Sequence, residues 1–143
     1  MPSGEAARPA SSPQVALDLA FDEAALFTLR SAVAAHAAEL GAGQALADVV
    51  LVAHELSSNA VRHGGGRGTL RLWRAGELLC CQVADRGAGL SDPERAGTTR
   101  PSPSVPGGRG LWIARQLASV QIETGPSGTT ITAAIAVARR PPA

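Results

Sequence analysis

The sequence reads as an α+β domain, a two-layer sandwich in which a mixed, mostly antiparallel sheet carries helices on one face. Three observations predict it. Strand-like runs come in pairs joined by short glycine turns, which implies hairpins and antiparallel pairing. The element order is strand, helix, helix, two strands, loop, helix, two strands, without the strict alternation of a doubly wound α/β fold. At 143 residues the chain is long enough for one real core and too short for two.

Each element has its own signal. Residues 1–13 are small, polar and proline-containing, and are expected to form a disordered tail ahead of a domain over 14–138. "QVALDLAF" alternates, with Val15, Leu17, Leu19 and Phe21 on one face of a strand. Asp22 suits the N-cap of the helix that follows. Leu26, Leu29, Val33, Ala37 and Leu40 repeat there at helical spacing until the glycines at 41 and 43. A second helix is expected from about Ala45 to His63, with Val49, Ala53, Leu56 and Ala60 as its buried stripe and Gly64 to Gly66 as its stop. "TLRLWR" and "ELLCCQVAD" form two strands turned at Ala75-Gly76. From Arg86 to Pro106 periodicity is lost among Gly, Pro, Ser and Thr, and a long loop inside a compact domain is often a lid or binding segment. "GGRGLWIARQLA" opens a third helix. "VQIET" and "TTITAAIAVA" make a closing hairpin, turned by Gly125 to Gly128, and residues 139–143 form an exposed tail.

Composition excludes several functions. All 13 basic residues are Arg, so there is no P-loop lysine and no Schiff-base lysine. A net charge of +1 gives no reason to propose nucleic acid or an acidic membrane surface as partner. The N-terminus has no apolar signal region and no stretch is long enough to span a bilayer, so a cytoplasmic location is expected. Cys80 and Cys81 are neighbours in a strand and point to opposite faces. They are expected to be buried, reduced thiols.

Four clusters carry chemistry. Glu55, Asn59 and His63, spaced i, i+4, i+8, form one line along the second helix, beside its apolar stripe. An Asn carbonyl oxygen suits Mg²⁺ and Glu suits a general base, although a solvated polar face would present the same line. "HEL" at His54 begins like a zinc-protease helix, but Ser58 stands where the second histidine is needed. "DRGAGL", Asp85 to Leu90, ends a strand. Its carboxylate can accept from an exocyclic amino group, and Gly87 and Gly89 let a planar ring approach, while a plain Asp-Gly turn explains the letters equally. "GGRGLW", Gly107 to Trp112, puts glycines at a helix N-terminus, which suits phosphates or makes a hinge. "GTT", Gly128 to Thr130, offers hydroxyls to a purine or simply edges a hairpin.

Taken together and in this order, the four boxes resemble the histidine-kinase-like ATPases, the superfamily that includes gyrase, sensor kinases and MutL-type proteins. The resemblance runs from about Val15 to Val137. A compact domain with "HELSSNAVRHG" and "GGRGLWIARQL" is most similar to the bacterial anti-sigma-factor serine/threonine kinases. The resemblance implies the Bergerat ATP-binding fold, with ATP and Mg²⁺ as cofactors. It assigns Asn59 as Mg²⁺ ligand and Glu55 as base toward the incoming hydroxyl or water. Asp85 would take the adenine amino group, with Thr130 nearby and Thr129 counted with the nucleotide contacts. Gly87, Gly89 and Leu90 would lie along the nucleotide, and Gly108, Arg109, Gly110 and Leu111 would cradle the phosphates. His63 matches a variable position of the first box and is counted with the nucleotide contacts.

One departure matters. The residues before "GGRG" are "RPSPSVP", with no cation directly ahead of the glycines, so Arg109 or Arg100 would have to serve the γ-phosphate. The implied function is an ATP·Mg²⁺-dependent kinase that binds a sigma factor and phosphorylates an anti-sigma-factor antagonist; a homodimer is an open alternative for its assembly. The rival is a nucleotide-binding interaction module with little or no transfer. A sensor-kinase ATP-binding half ranks last, because no dimerisation helices or phospho-acceptor box are visible in the sequence.

Overall fold

The structure, a computed structural model, describes residues 15–89, 96–98 and 109–138. Among the described residues five strands form one sheet, β1 (Val15–Asp22), β2 (Arg67–Ala75), β3 (Leu78–Asp85), β4 (Ser119–Gly125) and β5 (Gly128–Ala136), and three α-helices join them, α1 (Leu26–Glu39), α2 (Leu46–His63) and α3 (Arg109–Leu117). Asp22 caps the entry as expected, its Oδ1 accepting from the Ala25 N–H at 3.1 Å across a short 3₁₀ turn.

The strand order is β1-β2-β3-β5-β4, and every adjacent pair is antiparallel. The parallel component allowed for by the sequence reading is therefore not among the neighbouring strands. Its absence has a simple cause. The α3 crossover carries β4 past one strand position, and β5 then turns back into the gap, so β3 and β4 never pair.

Alternation decides which face is covered. Leu17, Phe21, Leu70, Leu72, Leu79, Cys81, Val83, Ile131, Ala133 and Ile135 share the inner face and are buried with Leu29, Val33 and Ala37 of α1 and Val49, Val52, Ala53, Leu56 and Ala60 of α2. Fully burying a side chain such as Leu70 or Leu72 contributes about 1.5–3 kcal/mol. The opposite face is largely polar: Gln82 donates to Thr132 at 3.0 Å, and Arg71 pairs with Asp18 at 3.1 Å. Both cysteines are buried and unlinked, one on each face of β3. Among the described residues no helix is long and apolar enough to cross a membrane.

Candidate functional site

The site forms where α2 ends, β3 ends and α3 begins. Helix α2 buries Val49, Val52, Ala53, Leu56, Ser57 and Ala60, which turns Glu55 and Asn59 to the border of the core. Both are half-buried, and neither side chain makes a hydrogen bond or ion pair with a described residue. A helix turns about 100° per residue, so Glu55 and Asn59 lie within about 40° of each other while Ser57 falls nearly opposite Glu55. His54 is partly buried, with Nε2 at 3.4 Å from Ser58 Oγ.

Helix α3 starts against that border. A Cβ on Gly110 would lie 3.0 Å from Glu55 Oε1 and 3.4 Å from the Glu55 carbonyl oxygen. The glycine thus lets the first turn of α3, whose N–H groups lack partners within the helix, approach the carboxylate. Leu111 is buried at 5% exposure, so only its backbone faces the site, whereas Arg109 is exposed. Behind this turn Arg115 Nε donates to the Ala96 carbonyl at 2.7 Å, and Gly97 packs against Leu111.

The second half of the site centres on Asp85. It ends β3 directly opposite Thr129 of β5. Its Oδ1 accepts from the Gly87 N–H at 2.8 Å and the Thr129 N–H at 3.3 Å. No described donor reaches Oδ2, so one oxygen is held and the other presented. The Thr129 hydroxyl is 2.8 Å from that of Thr124. Thr130 is one residue further along β5 and points to the other sheet face, with Ala84 and Glu123 as its strand partners. The expected threonine beside Asp85 is therefore Thr129, not Thr130. Gly89 adopts φ +92°, and a Cβ there would strike the Gly125 carbonyl at 2.5 Å, so this turn closes on the β4–β5 hairpin. His63 is exposed at the last position of α2, and its carbonyl lies against Gly87. Leu90, Arg100, Gly108 and most of the loop from Arg86 to Pro106 lie outside the described residues.

A family model described as the histidine kinase-like ATPase domain matches residues 19–135, most of the chain. The chain belongs to this family. Its fold is similar to a histidine kinase domain of a blue-light activated histidine kinase from Erythrobacter litoralis, with a TM-score of 0.50 and 22% identity over 78% of this chain and 63% of that one. The chain thus spans less than two thirds of that kinase domain. The histidine kinase AdeS of Acinetobacter baumannii gives a TM-score of 0.48 and 19% identity over 85% of this chain and 68% of that one. No curated protein matches.

Membership of this family implies an ATP-binding domain, and the residues fit that ligand. Asp85 packs on Gly64 just past the end of α2, and Gly110 at the start of α3 packs on Glu55 of the same helix, so α2 carries both halves of the site. The residues also fit Mg²⁺. No cluster of three acidic, His or Cys ligands exists among the described residues, and a single protein oxygen, Asn59 Oδ1, suits an ion that takes its other ligands from phosphates and water.

The site residue that the sequence reading passed over is Gly64. Its place in the sequence marks only the end of α2, yet it packs directly on Asp85. No local signal separates those two roles, because the partner is a residue on another element.

Proposed function

We propose that the protein is an ATP·Mg²⁺-dependent serine/threonine kinase that acts as an anti-sigma factor, binding a sigma factor and phosphorylating a Ser or Thr of its antagonist. The observation that carries the transfer step is the approach of Gly110 to Glu55, which puts a carboxylate beside the first turn of α3, one helical turn from Asn59. The partner choice is supported by the "HELSSNAVRHG" and "GGRGLWIARQL" boxes.

Phosphoryl transfer depends mainly on positioning and charge stabilisation. Bound ATP·Mg²⁺ supplies the γ-phosphoryl group and a cation that offsets its charge. Asp85 Oδ2 would accept from the adenine amino group. The backbone N–H groups at Gly110 and Leu111 would hold the phosphates. Asn59 Oδ1 would hold the metal. Glu55 orients the attacking hydroxyl and takes its proton.

A second reading, a nucleotide-binding regulatory module without transfer, is favoured by the lack of a cation directly before "GGRG". Labelled ATP incubated with candidate antagonist proteins separates the two. With Glu55→Gln, ATP affinity should hold while transfer falls roughly 10²–10⁴-fold, the range for loss of a general base. If the wild type binds ATP and labels no antagonist, the module reading stands and the kinase reading is lost.

A further inference from the structure

Gly64 is buried immediately after α2. Its backbone, at φ −112° and ψ 27°, is open to any L-residue, so a left-handed conformation is not what demands glycine here. Its neighbour is. A Cβ at Gly64 would lie 2.3 Å from Asp85 Cγ, 2.4 Å from Oδ2 and 2.6 Å from Cβ, inside the space of the carboxylate. Gly87 closes the same contact from the other direction, since its own Cβ would fall 2.6 Å from Gly64 Cα.

The carboxylate has little room to yield. Asp85 sits in β3 with β2 and β5 on either side, and Oδ1 is tied to two backbone amides. Rotation to escape a new methyl group would break those bonds or swing Oδ2 away from the site. Asp85 is thus oriented by two features: amides that hold Oδ1, and a bare Cα that leaves Oδ2 its place.

We propose that Gly64 is a specificity-determining positioning residue, whose missing side chain keeps Asp85 Oδ2 aimed at the 6-position of a bound purine. The inference rests on the reading of Asp85 as the adenine contact. An ionised carboxylate only accepts, so it rewards a 6-amino group, gains nothing from a 6-hydrogen and opposes a 6-oxo group. Discrimination at that position then depends on residue 64 although residue 64 offers the base no polar atom.

Calorimetry with ATP, purine riboside triphosphate (hydrogen at position 6) and GTP, each with Mg²⁺, tests this. Wild type should favour ATP over purine riboside triphosphate by about ten- to hundredfold, the value of one charge-assisted hydrogen bond. Gly64→Ala should lower ATP affinity by that factor, leave purine riboside triphosphate unchanged and bring the ratio near one. A retained ratio, or an equal loss for both ligands, overturns the role of Gly64 while leaving the Asp85 reading intact. A ratio near one in the wild type removes the Asp85 reading itself, and this inference with it. Should Gly64→Ala fail to fold, Gly64→Ala combined with Asp85→Gly decides. Recovery of folding supports the contact as the constraint, and persistent unfolding overturns it.

Discussion

Arg74 should be worth about 2 kcal/mol of stability. It occupies an inward position of β2, two residues beyond the fully buried Leu72. Instead of filling the core, its guanidinium reaches the C-terminal end of α1. Nη1 donates to the Leu40 carbonyl at 2.8 Å and more weakly to Gly41 at 3.4 Å. Nε donates to Gly76 at 2.8 Å and Nη2 to Ala138 at 3.0 Å. One side chain thus ties a helix end, a hairpin turn and the exit of the last strand. The carbonyls after a helix lack intrahelical partners and carry its negative dipole end.

Two good charge-assisted bonds at about 1.5 kcal/mol each, with several tenths for the dipole and a smaller share for the exposed contacts, give roughly 4 kcal/mol gross. Ordering an Arg side chain takes back up to about 2 kcal/mol. Arg74→Ala should therefore lower unfolding free energy by about 2 kcal/mol and Tm by roughly 8 °C for a domain of this size. Arg74→Lys should lose about half as much, because an ammonium keeps the charge but not the fork. Urea unfolding, followed by fluorescence and circular dichroism with unchanged m, measures both. A loss under about 0.5 kcal/mol for Arg74→Ala would mean that water serves these carbonyls as well as the guanidinium does, and would refute the clamp.

The remaining predictions concern the metal and the thiols. Asn59→Ala should weaken ATP binding roughly tenfold or more when Mg²⁺ is present and hardly at all when it is chelated, as calorimetry would read. Burial pushes the Cys81 thiol up from 9.0 to about 12, with neighbouring Cys80 adding to it. The folded state then keeps a proton that the unfolded chain releases, so this contribution to stability is complete below about pH 9 and lost as pH rises toward 12. Unfolding midpoints measured across that window should fall for wild type and less steeply for Cys81→Ala. In native protein, Cys81 should resist iodoacetamide until the chain unfolds.

Periodic features of this chain were readable and non-local ones were not. Leu29, Val33 and Ala37 announce α1 because burial repeats with the helix turn, and Ile131, Ala133 and Ile135 announce β5 by alternation. The line of Glu55 and Asn59 follows from the same arithmetic. Thr129 and Thr130 show where it stops. They are adjacent in sequence and differ by a whole sheet face, and only the register against Asp85 tells which one faces the site. Gly64 and Gly110 are similar cases, since the residues that require them, Asp85 and Glu55, lie on other elements. Strand order was hidden for a related reason: hairpins identify neighbours, but nothing local places β5 between β3 and β4.

That insertion has a consequence for biosynthesis. Asp85 leaves the ribosome long before Thr129, the strand partner whose amide holds its carboxylate. Until β5 emerges, β3 has a bare edge, the kind of surface that invites pairing with other chains. A nascent chain stopped within β4 already contains Glu55, Asn59, Asp85 and the α3 glycines, yet Oδ1 lacks one of its two amides. If Asp85 is the proposed adenine contact, nucleotide affinity in a series of stalled chains should rise as a late step when β5 docks, making that contact a report of completed synthesis.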